Sequence, residues 1–219
     1  MQQSSIICDN GITYITDEVN KTASVKSCSV FSSDIIIPSS IIVGSIKYIV
    51  TSISEGAFKL LNKIKSIQFD PDSKLQKIEK DAFHGSTIES ITLPSSLVDL
   101  KDGWCSYTSN LVKIIVNPEN PYFKIYGNKY LLKKSSLEKE DYDILLFCFR
   151  SVKTAMIPDF VEIIGSHAFE EFEKVEMTSN SKLRIIGNSA FSFSQIESIT
   201  FSHHLTDIYD QAFFCCYNL

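Results

Sequence analysis

The chain alternates apolar and polar residues in short bursts, and Pro, Ser or Asn cuts each burst off before it can lengthen. The clearest runs Ile88-Glu89-Ser90-Ile91-Thr92-Leu93. Side chains alternate across a strand, so its pleat turns Ile91 and Leu93 inward and leaves Ser90 and Thr92 facing out, with Ile88 ahead of them also read as inward. Pro94-Ser95-Ser96 then stops the strand, and a second apolar segment, Leu97 to Leu100, carries the chain back.

The burst returns with the same five residues at Ile196 to Thr200. Around it, residues 175–208 align without a gap to residues 67–100, with identities at Ser73/Ser181, Leu75/Leu183, Ile78/Ile186, Ala82/Ala190, Phe83/Phe191 and Leu97/Leu205. Most remaining apolar positions are matched by apolar residues, so packing sets the spacing. A smaller unit lies inside each copy: an Ile or Leu, then Ala-Phe four residues on. Ile53 leads to Ala57-Phe58, Ile78 to Ala82-Phe83, Ile164 to Ala168-Phe169, Ile186 to Ala190-Phe191 and Ile208 to Ala212-Phe213, while Leu100 leads to the degenerate Trp104-Cys105. From Ala57 to Ala82 is 25 residues, and from Ala82 to Trp104, Ala168 to Ala190 and Ala190 to Ala212 is 22. A recurrence of about 20–29 residues marks a solenoid, in which one coil cannot bury its faces alone and stacked coils bury them against each other. Ala lets the backbone come close at the corner, and Phe fills the space between coils.

The unit is similar to the BspA-like, or TpLRR-type, leucine-rich repeats, whose pattern runs IxxIGxxAFxxCxxLxxIxLPxxLxxI. The resemblance spans residues 48–219. It implies a leucine-rich-repeat solenoid, α/β by class and rich in β: a right-handed superhelix of short strands with turns and short helical segments, in a single domain. Residues 1–47 resemble the β-rich entry that precedes such arrays, with Asp34-Ile35-Ile36-Ile37-Pro38 supplying an Ile-Pro strand end. Two departures stand out. The signature Cys is present only as Cys216, being Leu61 and Phe172 elsewhere, and Gly follows the leading Ile only at Gly165 and Gly187.

Residues 117–151 break the period. Tyr122 to Leu132 reads as two strand segments around Tyr126-Gly127-Asn128, a hairpin whose Gly and Asn accept positive φ. Lys133 to Asp143 is polar and reads as a solvated loop, and the repeat restarts at Met156-Ile157-Pro158. This makes an insertion within the array. The last residues, 211–219, align with 103–111 and stop after half a coil, which predicts that the natural chain continues or that this end meets a partner.

The 219 residues, 44% hydrophobic and 21% charged, are those of a folded chain able to bury a core. A net charge of −5 without any basic run argues against nucleic acid as a partner. The N-terminus lacks the basic start and the roughly 7–15 apolar residues of a secretory signal, and no run approaches the ~18 apolar residues of a membrane span. The expectation is therefore no direct membrane insertion by this chain. Six cysteines at irregular spacings, Cys8, Cys28, Cys105, Cys148, Cys215 and Cys216, favour buried free thiols over a disulfide framework.

Candidate chemistry is sparse. His203-His204 and Cys215-Cys216 hint at metal, but structural zinc needs four converging ligands, and the histidines occupy the turn positions of Ser95 and Ser96. No hydrolase elbow, dinucleotide, phosphate-loop or zinc-protease motif appears, so no catalytic residue and no cofactor is nominated, and the chain is not expected to be an enzyme. Asn20-Lys21-Thr22 fits a glycosylation sequon, without further support.

What remains is surface. The outward positions of successive strands form a ladder of Ser66 and Gln68, Ser90 and Thr92, Lys113 and Ile115, Lys174 and Glu176, Ser198 and Thr200. The ladder reads either as a ligand face or as solvated strand residues. The hairpin aromatics Tyr122, Phe123, Tyr126 and Tyr130 read either as interface anchors or as rings packed onto the array. Two functions follow. One is a protein-interaction module that, by the resemblance, is a microbial surface antigen binding host-cell or extracellular-matrix proteins. The other is an intracellular, cytoplasmic scaffold, which the missing signal favours.

Overall fold

The computed structural model describes residues 4–7, 11–29 and 32–219. The strands of the first part are β1 (Ser4–Ile7), β2 (Ile12–Asp17), β3 (Thr22–Cys28), β4 (Asp34–Ile37), β5 (Ser40–Val43), β6 (Ile46–Ile53), β7 (Ser66–Phe69), β8 (Lys77–Ile78), β9 (Ser90–Leu93), β10 (Asp99–Leu100) and β11 (Lys113–Val116). There follow β12 (Phe123–Tyr126), β13 (Tyr130–Lys133), β14 (Ile144–Cys148), β15 (Thr154–Ile157), β16 (Ile163–Ile164), β17 (Lys174–Met177), β18 (Ile185–Ile186) and β19 (Asp207–Ile208). The chain divides into two compact units, residues 1–120 and 121–219.

The first unit is a β-solenoid with two sheets. One runs β1-β2-β3-β6-β8-β10, with β5 also on β6; the other runs β11-β9-β7-β4 and is parallel throughout. Sequence alternation places each side chain: β9 buries Ile91 and Leu93 and leaves Ser90 and Thr92 outside, as the pleat requires. In the entry region β2 buries Ile12, Tyr14 and Thr16 by the same rule. The coils close at the Ala-Phe corners. Phe58 and Phe83 stack at 5.1 Å, and the Trp104 ring meets Phe83 edge-on at 6.0 Å, so the degenerate corner still fills its layer with an aromatic ring.

The second unit repeats the plan around a hairpin. β12 and β13 pair antiparallel about Gly127 (φ 58) and Asn128 (φ 54), both left-handed as a type I′ turn demands. The sheet continues β13-β14-β16-β18-β19, and β15 pairs with β17 in a second, two-stranded sheet. Its core holds Phe169, Phe191, Leu183, Ile186 and Ile196, with the rings of Phe169, Phe191 and Phe213 in a parallel stack.

Two expectations meet a different structure. Among the described residues no helix forms, so the short helical segments that the resemblance implies are absent there, and the corners are runs of tight turns. The reason is a pair of left-handed residues bracketing every corner. The residue before each Ala or Trp is Gly56, Asp81, Gly103, His167, Ser189 or Gln211, with φ between 52° and 66°, and the residue three after it is Leu60, Gly85, Tyr107, Glu171, Phe193 or Cys215, with φ between 54° and 64°. Left-handed residues interrupt a right-handed helix, and here they turn the backbone so that Phe58 N–H reaches Ala82 O, Phe169 N–H reaches Ala190 O and Phe191 N–H reaches Ala212 O in the next coil, at 2.7–2.8 Å.

The second difference concerns the repeated pentapeptide. Ser90 to Leu93 is a strand held by β7 on one side and β11 on the other, whereas residues 196–200 of the second copy form no strand. The inner residues show the same gradient: Leu100 is 5% exposed and its counterpart Ile208 48%. Pairing on both sides, not the sequence alone, makes this segment a strand.

Candidate functional site

In the first unit the parallel register brings the outward side chains into two rows. Asp34, Ser66, Ser90 and Lys113 are successive partners in one row, and in the other Ile36 partners Gln68 and Thr92 partners Ile115. Strands lie about 4.8 Å apart, so a row presents its side chains at that interval across the sheet. Ser66 Oγ donates to Asp34 Oδ1 at 2.5 Å, and hydrogen bonds from Ser33 and then Ser66 hold the Asp34 carboxyl below the usual carboxylate range. The first row thus runs from an anion at Asp34 to a cation at Lys113, and Lys65 pairs with Glu89 beside it at 3.0 Å. The second row has exposed apolar ends, Ile36 and Ile115.

In the second unit Thr154 lies beside Lys174 and Met156 beside Glu176. Lys174 Nζ is 2.5 Å from Glu176 Oε1, and that hydrogen bond raises the ammonium above its usual value. Ser198 and Thr200 are exposed but lie in no strand, so the structure does not bring them into a row. Sequence reasoning missed Asp34, Ile36, Thr154 and Met156 as members of the rows. The signal was present: Asp34 to Pro38 and Thr154 to Pro158 end in the same Ile-Pro stop that closes a repeat strand.

The hairpin aromatics separate. Phe123 is buried, and so is Tyr130, whose hydroxyl donates to Met156 O at 2.8 Å; both pack onto the core and are unavailable to a partner. Burial pushes the Tyr130 phenol up to about 12. Tyr122 is half-buried. Tyr126 is the exposed one, 5.3 Å edge-on from Phe160, and with Tyr142 and Lys124 these rings line a small hollow. Tyr142 and Phe160 lay outside the sequence reading because they come from the loop and from the following repeat. The loop itself is tied down by Lys139 Nζ, 2.6 Å from Asp143 and 3.0 Å from Glu162. Burial raises the Asp143 pKa, but the hydrogen bonds from Lys139 and Ser135 outweigh it, and the carboxyl sits below its usual value.

A buried ion pair was also missed. Arg150 spans from the end of the insertion to the Ala168-Phe169 corner, donating to His167 O at 2.9 Å and Glu170 O at 3.1 Å, with its guanidinium 4.5 Å above the Phe147 ring and 3.4 Å from Glu170 Oε2. His167 Nδ1 contacts the other Glu170 oxygen. These contacts fasten a backbone corner, and they leave the side chains buried rather than presented.

Cys28, Cys105 and Cys148 are buried, Cys215 and Cys216 are half-buried, and Cys8 lies outside the described residues. Cys216 Sγ donates to Phe191 O at 3.0 Å, a packing role at the repeat's signature position. His203 and His204 occupy an exposed turn, and among the described residues no three His, Cys, Asp or Glu side chains are grouped to hold a metal ion. Among the described residues no helix is long and apolar enough to cross a membrane.

One solved structure shows the same fold. A leucine rich cell surface protein from Faecalibacterium prausnitzii A2-165 superposes with a TM-score of 0.55 at 17% identity, over 100% of this chain and 88% of that one. The pneumococcal vaccine antigen PcpA gives 0.41 at 20% identity, covering 92% of this chain and 71% of its own, and a leucine-rich repeat protein from Bacteroides ovatus ATCC 8483 gives 0.42 at 16%, covering 93% and 60%. No curated protein matches the sequence. Residues 37–144 and 144–219 match the BspA type leucine rich repeat region in six copies, so the chain belongs to the BspA-type leucine-rich-repeat family.

Proposed function

We propose that the chain is a non-catalytic protein-interaction module whose contact surface is the outward rows of its parallel strands, displayed on a microbial cell surface to host-cell or extracellular-matrix proteins. One observation carries the reading: Ser66, Ser90 and Lys113 are successive register partners, and Thr92 partners Ile115, on an outward sheet face built from separate coils. Such a face offers a partner many weak contacts from a rigid frame, as stacked-repeat proteins do. The surface assignment draws on the family resemblance and on the description of the Faecalibacterium prausnitzii relative. Tyr126, beside Phe160 and Tyr142, supplies a second anchoring patch in the other unit.

The test is binding of the purified chain to host cells and to cell-free matrix, wild type against Thr92→Lys and Lys113→Glu. Lost binding at unchanged urea midpoint supports the face; full binding by both variants removes it. A second reading, an intracellular scaffold using the same face, is favoured by the thiols of Cys148, Cys215 and Cys216, which form no disulfide among the described residues, since disulfides persist in oxidising compartments. Antibody labelling of unpermeabilised source cells separates the two, with a cytosolic protein as leakage control.

A further inference from the structure

One edge of β17 carries no strand. On its other side Glu173 and Lys174 N–H donate to Lys153 O at 3.1 and 3.2 Å and open the ladder with β15. Hydrogen bonding alternates in direction along a parallel strand, so the backbone groups of Val175 and Met177 point the opposite way, toward residues 195–200. In the first copy that position is filled: Glu89 and Ser90 N–H donate to Lys65 O at 2.7 and 3.0 Å and β9 pairs with β7. Among the described residues their counterparts, Glu197 and Ser198, make no such bonds to Glu173, and β17 pairs with β15 alone.

The last coil nevertheless stays attached at its corner. Phe191 N–H reaches Ala212 O at 2.8 Å, Ile186 pairs with Ile208, and Gln195 N–H reaches Phe172 O at 2.6 Å. Residues 195–200 therefore stand off from β17 across a cleft of about 590 Å³, within the roughly 300–1,000 Å³ of ligand-sized clefts. Its apolar lining comes from the half-buried Met177 and Ile199, with Val175 and Ile196 buried behind them. Its rim carries three carboxylates, Glu173, Glu176 and Glu197, against one ammonium, Lys174, which is already paired with Glu176.

We propose that this cleft takes an extended segment of a partner protein by strand addition to β17, a segment that alternates apolar side chains with Lys or Arg. Three features select that occupant. An unpaired strand edge is a template for main-chain pairing. The apolar lining beneath an acidic rim matches the period of two of an extended strand, apolar side chains down and basic ones toward the carboxylates. And the stand-off segment is Ile-Glu-Ser-Ile-Thr, a sequence that becomes a strand in the first copy once it has neighbours on both sides. Ordering its backbone costs about 1–2 kcal/mol per residue, against which a second neighbour adds main-chain hydrogen bonds. The site is an edge that borders the outward Lys174 and Glu176 of the second unit and is separate from the rows of the first unit.

The experiment is hydrogen–deuterium exchange of the full chain, free and with a hexapeptide of alternating valine and lysine, a valine–glutamate hexapeptide serving as control. In the free chain the amides of Val175 and Met177 exchange fast; the lysine peptide slows both by at least tenfold and the glutamate peptide does not. The double variant Glu173→Lys, Glu197→Lys, both exposed, weakens the lysine peptide at least tenfold and admits the glutamate peptide. Protection of both amides in the free chain overturns the proposal, because residues 197–200 would then close on β17. So does peptide binding that leaves these amides unprotected, or equal binding of both peptides. Thr92→Lys, in the other unit, leaves the peptide result unchanged, so failure of the outward face and failure of this edge are read separately.

Discussion

The rings of Phe169 and Phe191 stack with centroids 5.3 Å apart and planes 6° from parallel, and Phe169 N–H donates to Ala190 O beside them at 2.7 Å. Ring and backbone thus register the same two coils. Truncating Phe191, or Phe83 in the first unit, removes a fully buried ring and is expected to cost about 3–5 kcal/mol in urea unfolding. A loss under ~1 kcal/mol for either Phe→Ala variant would remove these rings from the load between coils.

Two glycines separate backbone strain from crowding. Gly56 has φ 66 and its added Cβ would meet only Lys59 atoms at 3.8–3.9 Å, so Gly56→Ala probes the left-handed backbone alone and should cost about 1–2 kcal/mol. Gly187 has no positive φ, yet a Cβ there would lie 2.8 Å from Ile164 O and from Ser166 N. Gly187→Ala is expected to cost about 1–3 kcal/mol through crowding between coils, and comparing urea midpoints checks both. A neutral Gly187→Ala would mean that the coils can separate without loss.

Removing Arg150 leaves Glu170 buried without its guanidinium and three corner carbonyls short of a donor. Arg150→Ala should therefore lose about 3–5 kcal/mol, the scale of a broken buried pair. Arg150→Lys, which cannot reach carbonyls and carboxylate together, should recover only part of it. Equal stability of Arg150→Lys and wild type would show that charge alone is needed there.

Alkaline pH should act through Cys148. Burial pushes this thiol from its ordinary value near 9 up to about 12, against a smaller opposing pull from Arg150. Between those values the folded chain keeps the proton that the unfolded chain releases, so the contribution is complete below pH 9 and is lost as pH rises toward about 12. Tyr130, raised to about 12 mainly by burial, acts in the same direction. Urea midpoints should fall from pH 8 to pH 10.5, and Cys148→Ala should fall less steeply. Identical slopes would assign the alkaline loss to other groups.

Much of the fold was legible because packing leaves a strict imprint on sequence. The interval from Ala82 to Trp104 and from Ala190 to Ala212, the Ile-to-Ala spacing and the inward residues of Ser90 to Leu93 all follow from side-chain alternation and from coils that bury each other. Gly127-Asn128 announced its turn because few residues tolerate two successive positive φ values. The outward rows were legible in part. Ser66, Ser90 and Lys113 sit in the expected row, but Asp34, in the entry region, and Thr154, at the restart of the repeat, joined only when register was known.

The corners show where local reading stops. Of the twelve left-handed positions that bracket them, only Gly56, Gly85 and Gly103 are glycine; at Leu60, Tyr107 or Phe193 the side chain argues against the conformation that the coil imposes. The sequence by itself determined the period, the inward set and the family, because these depend on which side chains must be buried. Tertiary structure alone decided that Tyr130 is core while Tyr126 is surface, that Arg150 reaches across to Glu170, and that the repeated Ser-Ile-Thr is strand at 90–92 and not at 198–200. Those outcomes depend on neighbours distant in the chain, and hydrogen bonds and burial are completed only by such neighbours.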